Sequence, residues 1–169
     1  DSRTRWMDYL TKLYHHCTTP AYWHAEGRLA ALERLKAGIT CGVSVISNAA
    51  RCDDPRVITE HVRGHAEVGT RENPAIGPSN PPYPRAFAQE ENGRLVEKQF
   101  TFDELMAKAE EAIELVNGSY NGLIGAFAAP FVMVSSIEGS KATPADLACR
   151  LREADRHMMK AIREVARRQ

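Results

Sequence analysis

Residues 23–48 read WHAEGRLAALERLKAGITCGVSVISN, and the change of period inside this stretch decides the fold. Leu29, Leu32 and Leu35, with Ala30, Ala31 and Ala37 between them, recur at the three-to-four spacing of a helix. Gly38 stands where that helix must end, because a residue without a Cβ turns left-handed at no steric cost. Residues 39–46 then form a short apolar run rich in β-branched side chains, which suits a buried strand. A helix that turns straight into a strand is the αβ half of a parallel β/α repeat. The rest of the chain reads as copies of it.

Upstream, Trp6, Met7, Leu10, Leu13 and Tyr14 form a helical apolar stripe. Thr19-Pro20, Asp54-Pro55 and Thr143-Pro144 each place an N-cap residue before a proline, whose missing N–H costs nothing in a first turn. The last two predict helices to about 68 and about 168. Thr101-Phe102-Asp103-Glu104 is a capping box and predicts a helix over 102–117. Glycine or asparagine follows these helices, and strands are expected over 71–76 and 123–128. The final helix sets Leu147, Leu151, Ala154, Met158, Ile162 and Val165 on one face, with no strand after it before Gln169. The expectation is α/β with about three parallel strands and flanking helices.

The connections are unequal. Helix-to-strand turns are short, whereas 47–53, 77–101 and 129–143 are long excursions after strands. Such excursions are where β/α barrels and doubly wound sheets place their chemistry. The middle one contains GPSNPPYP (77–84), too rich in proline for a helix. Beyond it an Asn92-Gly93 turn between 87–89 and 95–98 predicts a hairpin. Residues 77–100 therefore read as a rim or lid insertion within a single 1–169 segment.

The 22 basic and 22 acidic residues give a formal charge of zero, and neither nucleic acid nor an anionic membrane is expected as partner without a basic excess. Hydrophobic content of 43% and charged content of 26% are those of a globular chain. The apolar stretch near 123–134 is broken by Gly125 and Pro130 and is too short to span a bilayer. Cys17, Cys41, Cys52 and Cys149 form no C-x-x-C pair, which predicts reduced thiols and a cytoplasmic protein.

Three stretches carry a resemblance: WHAEGRLAALERLKAGITCGVS (23–44), EVGTRENPAIGPSNPPYPR (67–85) and ADRHMMKAIREVARR (154–168). Together they resemble the metal-dependent amidohydrolase superfamily, in its cytosine-deaminase-like and chlorohydrolase-like branch. The resemblance implies a partial (β/α)8 TIM barrel in which this chain supplies the second to fourth strands. That family holds a divalent metal, zinc or iron, through a His-x-His after the first strand, histidines after the fifth and sixth, and an aspartate after the eighth. None of those signatures falls in these 169 residues, so no catalytic residue and no metal ligand is assigned here. The resemblance implies that the metal belongs to the full-length enzyme, with none bound by this segment, and that the chain opening at Asp1 is part of a longer frame. The implied activity is hydrolysis of C–N or C–halogen bonds in small, cyclic, nitrogen-containing substrates. The implied partners are that substrate and the remainder of the barrel, and open sheet edges leave room for a homo-oligomer. The alternative is a non-catalytic α/β module that binds a small molecule or a protein at the same loops.

The expected pocket rim is Ser47 and Asn48 after the first strand, Ser79 and Asn80 after the second, and Phe131 after the third. Residues there point into a barrel mouth and orient substrate; serine and asparagine are also ordinary turn formers. His61 and His65 are spaced four apart on one helix, as metal ligands can be. Yet Ile58, Val62 and Ala66 set the apolar direction of that helix, with His65 near its centre, which favours a packed histidine. His15 and His16 point in different directions, and His24 and His157 read as structural. No G-x-S-x-G elbow and no G-x-G-x-x-G phosphate loop is present.

Overall fold

Helix starts form where the sequence supplies caps. In the computed structural model, which describes residues 2–45, 51–78, 83–129 and 144–168, the elements run α1 (Ser2–His16), α2 (Pro20–Lys36), β1 (Cys41–Val45), α3 (Pro55–Val68), β2 (Arg71–Ile76), β3 (Arg85–Glu91), β4 (Arg94–Phe100), α4 (Phe102–Val116), α5 (Ser119–Gly122), β5 (Phe127–Ala128) and α6 (Pro144–Arg168). The Thr19 hydroxyl accepts from the Tyr22 N–H, and the Asp54 carboxylate from that of Arg56. Thr101 and Glu104 close the full capping box. Gly38 (φ 76°) and Gly69 (φ 91°) end α2 and α3 in the left-handed conformation.

β1, β2 and β5 form a parallel sheet in that order, with Gly42 opposite Glu72, Ser44 opposite Pro74 and Ala75 opposite Phe127. The fold is thus mixed α/β with a three-stranded parallel sheet and flanking helices. The third strand is shorter than the 123–128 expected. Tyr120, Asn121 and Gly122 all have positive φ, and the Asn117 side chain takes the Ala126 N–H at 3.0 Å. A backbone donor is thereby withdrawn from the ladder, and only an isolated bridge, Glu72 with Ile124, precedes β5.

β3 and β4 pair as an antiparallel hairpin through Asn92 (φ 49°) and Gly93 (φ 75°), the primed turn that matches strand twist. The hairpin is fastened to the body: Phe87 is fully buried in the core, and the Gln89 amide donates to the Asp53 carbonyl at 2.9 Å.

Strand alternation divides the sheet into two unlike faces. Glu72, Pro74 and Ile76 are buried on one face, beneath α3 and α4, which pack on each other and on β2. Val57, Ile58, Val62, Leu105, Ile113 and Ile124 build the core there. On the other face Val43 is 60% exposed, Val45 49% and Phe127 42%. Among the described residues, that face is bare.

The leucine stripe of α2 is not its buried side. Leu29, Leu32 and Leu35 are exposed, while Trp23, Gly27 and Ala31 are buried. The reason is backbone contact with α3: a Cβ on Gly27 would stand 2.3 Å from the His61 carbonyl oxygen, and one on Gly64 2.6 Å from that of His24. Only small residues permit that approach. In α6 the expected face is seen in Met158, Ile162 and Val165, all buried. Among the described residues, no helix is long and apolar enough to cross a membrane.

Candidate functional site

The five expected rim residues, Ser47, Asn48, Ser79, Asn80 and Phe131, lie outside the described residues. What the fold does assemble is a buried polar cluster between α2, α3, β1 and the start of β2.

The cluster begins with α3, whose four-residue spacing sets His61 and His65 on the side facing the sheet; their ring centroids are 5.0 Å apart. Strand alternation then turns Glu72 of β2 up toward them. His65 and Glu72 are fully buried and His61 nearly so. One donor atom from each of the three lies within 4.8 Å of those from the other two.

Each member is also held from outside. His61 Nδ1 lies 2.8 Å from the Glu26 carboxylate, and His61 Nε2 3.3 Å from the Ser44 hydroxyl. His65 Nδ1 is 3.0 Å from Thr70 Oγ1 and 3.7 Å from Glu72 Oε2. The Arg34 guanidinium donates to Glu72 Oε2. Gly42, opposite Glu72, makes this reach possible, since a Cβ there would fall 2.4 Å from an Arg34 nitrogen. His65 Nε2 and Glu72 Oε1 have no hydrogen-bond partner among the described residues.

Burial pushes the His65 pKa down to about 4, helped by His61 and Arg34, so the ring is neutral near pH 7. Burial raises the Glu26 carboxyl, but the hydrogen bond and charge of His61 outweigh it, and the net direction is down. Two imidazoles beside a fixed carboxylate are a cation-ligating set in chemical type.

A second centre is Arg51, 1% exposed. Its Nε and Nη2 donate to Asp53 Oδ1 (2.7 Å) and Oδ2 (3.1 Å), its Nη1 to Tyr14 O (2.7 Å) and Thr18 Oγ1 (2.9 Å), and its Nη2 also to Ala88 O (3.1 Å). Five bonds use all five guanidinium N–H groups, so Arg51 ties α1, the 51–54 loop and the hairpin together and has none left for a ligand. Burial raises the Asp53 carboxyl, and Arg51 offsets only part of that. Burial and then Asp53 drive the Cys52 thiol far above its ordinary range, which rules it out as a nucleophile at neutral pH.

Beside this centre is an open cavity of about 590 Å³, lined by Asp54, Arg56, Gln89, Glu91, Lys98 and Lys108 among others. Most of its charges are paired: Arg56 with Asp54, Lys98 with Glu91, Lys108 with Glu111. Paired charges at a surface leave little field for a ligand of either sign.

The other histidines take up separate places. His15 packs on Phe87 with centroids 4.4 Å apart, and His16 turns toward Glu97. His24 pairs with Glu60 and Glu67, and His157 is exposed beside Phe102. Glu26, Arg34, Ser44, Thr70 and Glu72 belong to the cluster without standing out in the sequence. Of these only Glu72 carries a signal, as a charge on the same strand face as Pro74 and Ile76.

Comparison of the chain with protein-family models, with curated proteins and with solved structures gives no match in any of the three.

Proposed function

We propose that the chain is an arc of a (β/α)8 barrel, contributing wall and pocket rim to a metal-dependent, amidohydrolase-like hydrolase. Its substrates are small, nitrogen-containing rings cleaved at C–N or C–halogen bonds. The observation that carries the barrel reading is the one-sided sheet. Three parallel strands lie in chain order, α3 and α4 share one face, and Val43, Val45 and Phe127 are bare on the other among the described residues. A doubly wound sheet carries helices on both faces. In a barrel the face without helices is the interior, filled by layers of apolar side chains from neighbouring strands. The choice of chemistry rests on the resemblance.

In the resembled family a divalent metal lowers the pKa of bound water and supplies the attacking hydroxide. This chain does not fit that metal. It has no His-x-His, and its own His61, His65 and Glu72 arise from α3 and the start of β2, away from the strand carboxyl ends where barrels do chemistry. No catalytic step is therefore assigned to its described residues.

The bare face is also what a binding module would present to a partner chain. The coding sequence on either side separates the two readings. The barrel reading expects a strand ending in His-x-His encoded shortly before Asp1 and a histidine-bearing strand soon after Gln169, and hydrolysis of a cyclic amidine or halogenated ring by the whole product. A continuous frame lacking both histidine motifs would overturn it.

A further inference from the structure

We infer that His61, His65 and Glu72 form a buried zinc site that clamps α3 to the amino-terminal part of the sheet. Three observations converge on it. The three side chains bring one donor each to within 4.8 Å of the others, whereas zinc bonds of about 2.0–2.1 Å draw tetrahedral donors to about 3.3–3.4 Å. Closure thus asks for side-chain shifts of about an ångström, not a new backbone.

The cluster also contains buried polar atoms without partners among the described residues, His65 Nε2 and Glu72 Oε1. A buried polar atom left unpaired is costly, and each of these two has capacity for a further partner.

The outer shell is already in place. A metal-bound histidine characteristically gives its second nitrogen to a carboxylate or another fixed acceptor. His61 Nδ1 has Glu26 at 2.8 Å, and His65 Nδ1 has the Thr70 hydroxyl at 3.0 Å. Arg34 occupies Glu72 Oε2 and leaves Oε1. Ser44 Oγ, 3.3 Å from His61 Nε2, can complete a fourth position. Imidazole nitrogen with one carboxylate is a donor set that suits zinc better than magnesium or calcium, which prefer all-oxygen sites. Glu26 is 37% exposed and marks the side from which the ion enters. With His61, His65 and Glu72 buried and Glu72 at the amino end of β2, the site is structural and separate from any barrel active centre.

The test uses the whole chain, stripped with chelator and titrated with zinc alone, with cobalt(II) as a spectroscopic probe. One zinc per chain, a visible tetrahedral cobalt spectrum, and a melting temperature raised by zinc and reversed by chelator are expected. Glu26→Gln, at a half-exposed position, should weaken zinc about 10–100-fold, and Glu72→Gln should abolish stoichiometric binding. His24→Ala should leave it unchanged, which separates the buried site from surface histidines. Should Glu72→Gln not fold, nitrogen chemical shifts of the His61 and His65 rings in the wild-type chain decide. Movement of both on adding zinc supports the site. A folded wild-type chain that stays zinc-free at equimolar metal, or rings that do not respond, would overturn it.

Discussion

Arg51 and Asp53 form a buried pair whose worth lies in being complete. Removing such an arginine leaves an uncompensated carboxylate, at a cost of about 3–5 kcal/mol, whereas a pair replaced together by apolar residues costs far less. Arg51→Met is therefore expected to lower the urea midpoint sharply, and Arg51→Met with Asp53→Leu to recover part of the loss. A single variant within about 1 kcal/mol of wild type would show that the pair does not hold the loop. His65 makes a pH prediction at the same scale. Its folded pKa, about 4, lies below the ordinary 6.5, so the unfolded chain binds the proton first and stability falls as pH drops through that window. The loss saturates below about pH 4, at about 3 kcal/mol. Glu26, also lowered, adds a loss in the same direction at the acid end. Urea titrations from pH 7 to pH 4 with chelator present should show the slope, and His65→Gln should flatten it. A wild-type curve level over that range would contradict the burial of a neutral ring.

Glycines of two kinds punctuate the helices, and they should fail differently. Gly27 lies where α2 and α3 touch backbone to backbone, so Gly27→Ala must push two helices apart. Overpacking of that sort costs about 1–3 kcal/mol. A side chain at Gly38 would meet only open space, but φ there is 76°, so Gly38→Ala brings conformational strain alone, about 1–2 kcal/mol. Thermal unfolding of the two variants checks the distinction: insensitivity of Gly27 to alanine would mean that the helices are not in contact. The caps and the Asn92-Gly93 turn are legible in the sequence because local hydrogen bonds decide them. The buried side of α2 is not, since Leu29, Leu32 and Leu35 obey helical spacing whichever neighbour the helix chooses.

At the scale of the molecule the decisive feature is the sheet face carrying Val43, Val45 and Phe127. Among the described residues nothing covers that face, and apolar surface exposed at strand positions drives association with other chains. Sedimentation velocity on the 169-residue chain is expected to show self-association, and Val43→Lys with Val45→Lys to shift it toward monomer. A wild-type chain that sediments as a clean monomer at tens of micromolar would remove the main support for a barrel interior on that side.

By itself the sequence determined what neighbours along the chain can settle: the helix starts at Thr19, Asp54 and Thr101, the left-handed stops at Gly38 and Gly69, the hairpin turn, and the β/α alternation that follows from them. Only the tertiary structure decided which face each element buries and which distant groups meet. Glu72 is brought to His65 on the preceding helix, and to Arg34, 38 residues back, by the register of β1 on β2 and the glycine-mediated contact of α2 with α3. Local spacing carries no record of that meeting, because packing between elements, not propensity within them, fixes it.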